Sequence, residues 1–563
     1  MAGYMKSTQV GAHLDALAAA HPTFCTRSGP ADWGPGRVGS SSGYVKIAAS
    51  TPDSPPTRWG VLLTGGIHAR ELAPPDALVS LLEKMVAAYA AKTSITYPSW
   101  TDPVGGIVYD AFTIPWPWVR KVVENLDLYV APLVNDDGRD FALTPLPPGT
   151  SVATQELHKG WRKNRRPAPG GSSDPRAVGV DLNRNFDILW DFKKAYAAYA
   201  VVVSSTDPVE ETYIGPTADG AEAEPETKNV AGLMRTKDIS FFIDFHAYSR
   251  DVLFEWGIEA NQSSDEAMNF RNPAWNGKRD GVEGLLTTAY SEYIPTDAAA
   301  AGRAMAQRIS DLVFTKAGGS DARAQARSRY TVKSAANLYV ASGTSMDYCF
   351  SRWFTAAAQG TPIKPVMAFT IEVGGDPKLG ADHDEGGFTP DYVQHFPKLE
   401  REIHVAAWAF LTAVAATNMV PASAPPAPAA TPNCFVAGAA YGDPWHPDVV
   451  FLRDLRDRQL RAGALGDAFA TALVAVYEQV GPGLADRVGP HPATRRAVRG
   501  ALLAPFVRTL RRVSRSLQRW PGPRAAALAL VFVLASPVLG TGLALAALVA
   551  WVASRRSDGG GQR

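Results

Sequence analysis

Cysteine is nearly absent from this chain: Cys25, Cys349 and Cys434 are the only three in 563 residues. Thiols so few and so scattered supply neither a disulfide framework nor a Cys-type zinc site. An excess of one charge is absent too. With 56 Lys and Arg against 55 Asp and Glu, the formal net charge is +1, which argues against a general nucleic-acid binder. The stretch Met1–Gln9 has neither an apolar core nor a cleavage site, so no secretory signal is expected. Two further absences are local. No acidic residue occurs between His491 and Arg524, and no charged residue occurs from Ala525 to Ser554.

What is present is enough apolar material, 46% of residues, to bury a large core and to fill more than one folded unit. Three short, apolar, β-rich runs each end on a polar residue. Gly60–Ile67 leads to His68-Ala69-Arg70-Glu71, Phe241–Phe245 to His246, and Met367–Ile371 to Glu372. In α/β proteins, strand ends deliver side chains to a cleft. Two imidazoles and a carboxylate leave a tetrahedral zinc one open position for water, the catalytic rather than the structural pattern. His-x-x-Glu by itself carries little, because 10 His and 55 acidic residues produce about one His-x-x-acid by chance.

The surrounding segments add specificity. Trp161-Arg162-Lys163-Asn164-Arg165, then Val180-Asp181-Leu182-Asn183-Arg184-Asn185, then Tyr339-Val-Ala-Ser-Gly-Thr-Ser-Met-Asp347 follow in one order. That order resembles the zinc carboxypeptidases of the carboxypeptidase A type, over roughly Tyr4 to Asn418. The resemblance implies an α/β fold with a mixed, mostly parallel twisted sheet flanked by helices. It implies Zn2+ on His68, Glu71 and His246, and Glu372 as general base. Arg162 would steady the scissile carbonyl, and Asn183 with Arg184 would grip the C-terminal carboxylate of a peptide or protein. Tyr339 would close over the substrate, and Asp181 would hold His68. These residue types suit the work. Arginine keeps its charge and its planar fork matches a carboxylate bidentately, while a glutamate can take a proton and return it to the leaving amine.

Each of these residues alone has a plainer reading. Asn183-Arg184 can brace a loop, Arg162 lies in a basic run of the kind that is usually a solvated face, and Asp136-Asp137-Gly138 reads as a turn. The family usually has Pro before that Asp-Gly. Met346 corresponds to the floor of the family's side-chain pocket, with Ser334, Leu338 and Thr370 along the walls. An apolar floor cannot satisfy a buried charge, so apolar or aromatic C-terminal residues are expected. Within the resemblance, a cell-wall peptide carboxypeptidase and an amino-acid deacylase are alternatives. An inactive peptide-binding module is the alternative of another class.

The expected organisation is a catalytic domain over 1–417, lengthened by insertions at Tyr97–Arg120, around Ser204–Pro225 and at Asn261–Arg329. Loops that long are usually lids or disordered. With His13 already inside the amphipathic stretch Val10–Ala20, no activation segment is expected before it. A Pro/Ala-rich linker follows at 418–432. The stretch 433–505 resembles a small helical CFI-box C-terminal domain through Cys434-Phe-Val and Ala439-Ala-Tyr-Gly442, with Val436 and Gly438 as departures. A basic juxtamembrane segment (506–524), a transmembrane segment (525–554), whose Pro537, Gly540 and Gly542 allow either a kinked span or a hairpin, and a tail (555–563) complete the chain. Nine arginines between His491 and Arg524 favour a membrane-anchored protein with a cytoplasmic catalytic domain. The secreted habit of the relatives points the other way.

Overall fold

The computed structural model describes residues 3–416, apart from 53, 56, 104, 282–289, 359–363 and 376–384, together with side chains other than those of 356–358. The linker, the CFI-box-like stretch, the basic segment and the span expected at 525–554 all lie outside the described residues. Among the described residues no helix is long and apolar enough to cross a membrane. The first compact unit is Met1–Ala415.

Its centre is an eight-stranded sheet. The strands are β1 (Cys25–Arg27), β2 (Val45–Ile47), β3 (Trp59–Gly65), β4 (Leu126–Ala131), β5 (Ile239–His246), β6 (Asp251–Phe254), β7 (Thr331–Ser334) and β8 (Met367–Glu372), in the order β1-β2-β4-β3-β5-β8-β6-β7. The four central strands β4, β3, β5 and β8 are mutually parallel. Antiparallel pairings join β1 to β2, β2 to β4 and β8 to β6, and β6 pairs parallel with β7. The sheet is mixed with a parallel core, as the resemblance implied.

A parallel strand covered on both faces reads as a near-continuous apolar run, and Ile-Ser-Phe-Phe-Ile-Asp-Phe-His in β5, apolar at five of its eight positions, is buried throughout. Leu62, Phe242 and Ala368 share one core with Val230 and Met234 of helix α1 (Pro225–Thr236) and Met346 and Phe350 of α2 (Ser345–Ala358). On the opposite face, Phe241 and Phe369 pack edge-on against Phe410 of α3 (Phe396–Ala416). Alternation along the strands therefore puts Thr64, Asp244, His246, Thr370 and Glu372 on the α1–α2 face.

Two expectations change. Asp136-Asp137-Gly138 does not stay a turn but opens a helix, Asp136–Ala142, whose N-cap Asn135 accepts from Gly138 N at 3.0 Å. An Asx cap satisfies an otherwise orphaned N–H, so the same residues suit a helix start. Asp136 is held in place by Ser42 N at 3.0 Å, which gives the departure from Pro a local role. The Tyr97–Arg120 insertion is not a lid. It folds as two nested ladders, Ile95–Tyr97 with Phe112–Ile114 and Trp100–Thr101 with Val108–Tyr109. Tyr97 stacks on Phe112 at 4.3 Å and meets His404 of α3 at 5.5 Å, and Arg401 of α3 donates to Pro98 O. Buried aromatic surface fixes it on the face away from Glu372.

Candidate metal centre and cleft

His68, Glu71, His246 and Glu372 arrive at one edge of the sheet because β3, β5 and β8 run parallel and end together. Gly66 makes this turn possible: at φ +61° it takes a conformation L side chains avoid, and a Cβ there would lie 2.7 Å from Pro75 Cγ and 2.8 Å from Leu133 Cδ1. Asn135 secures the same bend by donating to Ile67 O at 3.2 Å and Arg162 O at 3.4 Å, and Ala69 N donates to Arg162 O. Nothing in the Asn135 context signalled this role.

One ligand atom each from His68, Glu71 and His246 lies within 4.8 Å of the others, and all three residues are buried. His68 Nδ1 is 2.7 Å from Glu71 Oε1, and His246 Nδ1 is 3.2 Å from both Glu71 Oε2 and His68 Nδ1. Two imidazole nitrogens aimed at each other beside a carboxylate, out of water, form the donor set a zinc ion takes. The outward nitrogens are also matched with carboxylates: His68 Nε2 lies 3.3 Å from Asp181 and His246 Nε2 lies 3.1 Å from Asp244. Asp244 escaped the sequence reading. Its signal was its place two residues before His246 on one strand, hence on one face. Thr64 Oγ1 and Ser345 Oγ donate to it at 2.8 and 2.7 Å.

Burial works against every charge here, and the partners decide the direction. Burial raises the Glu71 carboxyl, but the His68 and His246 rings outweigh it and hold it below the carboxylate range. Burial likewise opposes the Asp181 charge, which Arg162 and His68 keep ionised. His246 resists the lowering by burial and is raised well above the usual range by Asp244 and Glu71. Glu372 is pushed up to about 8, by burial first, with Glu71 and Asp251 raising it against His246 and Arg162. Its carboxylate has no hydrogen-bond partner among the described residues.

Arg162 is no solvated cation. Its Nε and Nη2 each reach Asp181 Oδ2 at 2.9 Å, and its neighbours disperse: Lys163 donates to Arg176 O and Pro208 O, while Arg165 covers the Phe141 ring at 3.7 Å. Asp181 also caps Asn183 N at 3.0 Å. Asn183 Oδ1 accepts from Ser345 N at 2.8 Å, and its NH2 has no partner among the described residues. Arg184 donates through Nε to Val203 O and through Nη1 to Asn183 O, and its buried Nη2 has no partner there either. Tyr339, 39% exposed, carries its ring 5.6 Å from the Arg184 guanidinium carbon.

Met346 is buried with Trp256 and Phe350, between Ser345 on Asp244 and Asp347 on Gly257 N. Thr370 and Ser334 are buried and Leu338 is half-buried. The strand register adds a feature the sequence reading did not contain. Thr370 pairs with Leu253 and Leu253 with Lys333, so all three share the face of Asp251, whose carboxylate lies 3.1 Å from Lys333 Nζ. An ion pair thus shares a face expected to be apolar. Also unforeseen, Arg70 lies 4.0 Å over the Phe388 ring, which meets Tyr248 at 4.6 Å.

The sequence model of the zinc carboxypeptidase family matches residues 10–397. It stops before the stretch that resembles a CFI-box domain, which gains no support from it. Human carboxypeptidase O is 28% identical over 224 residues, covering 39% of this chain and 45% of that protein. Metallocarboxypeptidase A of Trichophyton rubrum is 28% identical over 247 residues, 44% of this chain and 46% of the relative. The chain thus spans about half the length of the curated relatives it matches. Among solved structures, carboxypeptidase A of Helicoverpa armigera is 20% identical with a TM-score of 0.45, covering 73% of this chain and 74% of that one. With the family match extending over most of the chain, this protein belongs to the zinc carboxypeptidase family.

Proposed function

We propose that the protein is a zinc-dependent metallocarboxypeptidase that hydrolyses the C-terminal peptide bond of peptides or proteins. One observation carries the reading: the buried His68–Glu71–His246 group has Glu372 register-paired to His246 on the adjacent strand. His68, Glu71 and His246 would hold the zinc, which when bound supplies Lewis acidity to a water and to the peptide carbonyl. Glu372 takes the proton from water and delivers it to the leaving amine. Arg162, kept charged by Asp181, stabilises the oxyanion that develops on the scissile carbonyl. The open donors of Asn183 and Arg184 receive the substrate's α-carboxylate, and Tyr339 covers it. Asp181 and Asp244 orient the ligand rings.

Met346 as an apolar floor supports a preference for apolar or aromatic C-terminal residues. The basic run before the uncharged stretch supports a C-terminal tether with the catalytic domain in the cytoplasm. The test of the reaction uses the purified full chain and blocked dipeptides varied at the C-terminus. It should bind about one zinc per chain and cleave Phe or Leu substrates. Glu372→Gln should abolish turnover and keep the metal. A variant with near-normal turnover, or one that loses zinc while folded, would remove Glu372 from the base role.

A further inference from the structure

We infer that Glu385 is a positioning residue for Glu372, acting through the backbone that follows it; this rests on the carboxypeptidase reading. Glu372 is the last residue of β8, and its carboxylate has no hydrogen-bond partner among the described residues. Its aim therefore depends on the main chain. Val373 N donates to His246 O at 2.9 Å, but the chain then enters Gly374, at φ +91°, and Gly375. Two successive glycines, beginning two residues after the base, are the least constrained backbone available.

Glu385 closes that freedom. Its Oε2 accepts from Gly375 N at 2.8 Å, and its Oε1 accepts from Lys398 Nζ at 2.7 Å and from Arg250 Nη2. Lys398 also pairs with Glu402 at 2.9 Å, and Tyr330 Oη donates to the second oxygen of Glu402 at 2.9 Å. All five side chains are buried. Two cations and two carboxylates make the group neutral, so it persists out of water with each charge matched. Arg250 and Lys398 bring separate anchors: the first lies four residues after His246, at φ +57°, and the second lies on α3. One carboxylate thus ties the exit from Glu372 to the exit from His246 and to a long helix. A group that fixes a reacting residue to within a fraction of an ångström shows in turnover rather than in binding.

The experiment compares the full-length wild type with Glu385→Leu/Lys398→Met, which removes the Gly375 acceptor and one whole ion pair, and with Glu385→Gln, which keeps an acceptor for Gly375. On a blocked dipeptide ending in Phe, the double variant should lose about 10- to 100-fold in kcat, with KM within about twofold and unchanged zinc content. Glu385→Gln should recover part of that loss. Amide exchange at Val373 and Gly375 should quicken in the double variant alone. If the double variant does not fold, Glu385→Asp, one methylene too short for all three donors, carries the same test. Unchanged kcat, or a loss proportional to lost zinc, overturns the assignment. A wild type that holds zinc but cleaves nothing would sink the carboxypeptidase reading instead, and exchange at Gly375 would then decide the clamp by itself.

Discussion

Single side chains at the centre act through partners that the chain brings from far away. Asp244 receives hydrogen bonds from Thr64 and Ser345 and faces His246 Nε2, so it fixes the ring whose other nitrogen points at Glu71. Asp244→Asn should weaken zinc binding about 10- to 100-fold while the fold stays intact; competition with a chelator measures it, and an unchanged affinity would dismiss the contact as incidental. Met346 offers a specificity switch. Met346→Asp places a carboxylate in an apolar surround, where a cationic substrate side chain is its best available partner. The kcat/KM ratio for C-terminal Phe over Lys should fall, and an unchanged ratio would show that Met346 does not face the substrate. The nearby Asp251–Lys333 pair is already mutually neutralised and need not oppose that change.

At the scale of elements, strand junctions carry buried carboxylates that nothing in the sequence distinguishes from surface ones. Glu255, directly after β6, accepts from Ala368 N at 2.6 Å and so stitches β6 to the start of β8. It has no ion-pair partner among the described residues, and burial, reinforced by Asp347, pushes it from 4.5 to about 8. The folded state therefore holds this proton where the unfolded chain has released it. Stability contributed by the group is complete below 4.5 and drains away as pH rises through the window from 4.5 to about 8. The slope reaches at most about 1.4 kcal/mol per pH unit. Thermal unfolding at several pH values should show Glu255→Gln gaining on the wild type as pH rises, and parallel curves would contradict the account. The nested ladders of Tyr97–Arg120 make a related point. Alternating Ile, Tyr, Val and Phe between turn residues were readable as short strands, yet a long insertion reads by length as a lid until its docking on α3 is seen.

For the whole molecule, the proposed tether has a simple test: protease added to intact cells should spare the catalytic domain and destroy it only after lysis, and digestion without lysis would reverse the orientation inferred from the arginine run. The parts of this protein that were legible from sequence are those whose signal is local. A β-rich run ending in His or Glu declares a strand end, and Arg162, Asn183, Arg184 and Tyr339 sit in short motifs whose order needs no structure to read. The positions of Asp244, Glu255 and Glu385 are equally plain as letters, but their significance was not. Glu385 meets Arg250 across 135 residues, and Thr64 meets Asp244 across 180. Such contacts are set by strand order, which places β5 between β3 and β8 and sets β6 antiparallel beyond them. Residue chemistry and strand ends belonged to the sequence by itself. Which carboxylate faces His246, which is buried without an ion-pair partner among the described residues and which accepts from Gly375 was decided only when the sheet closed, because burial and distance are properties of packed neighbours.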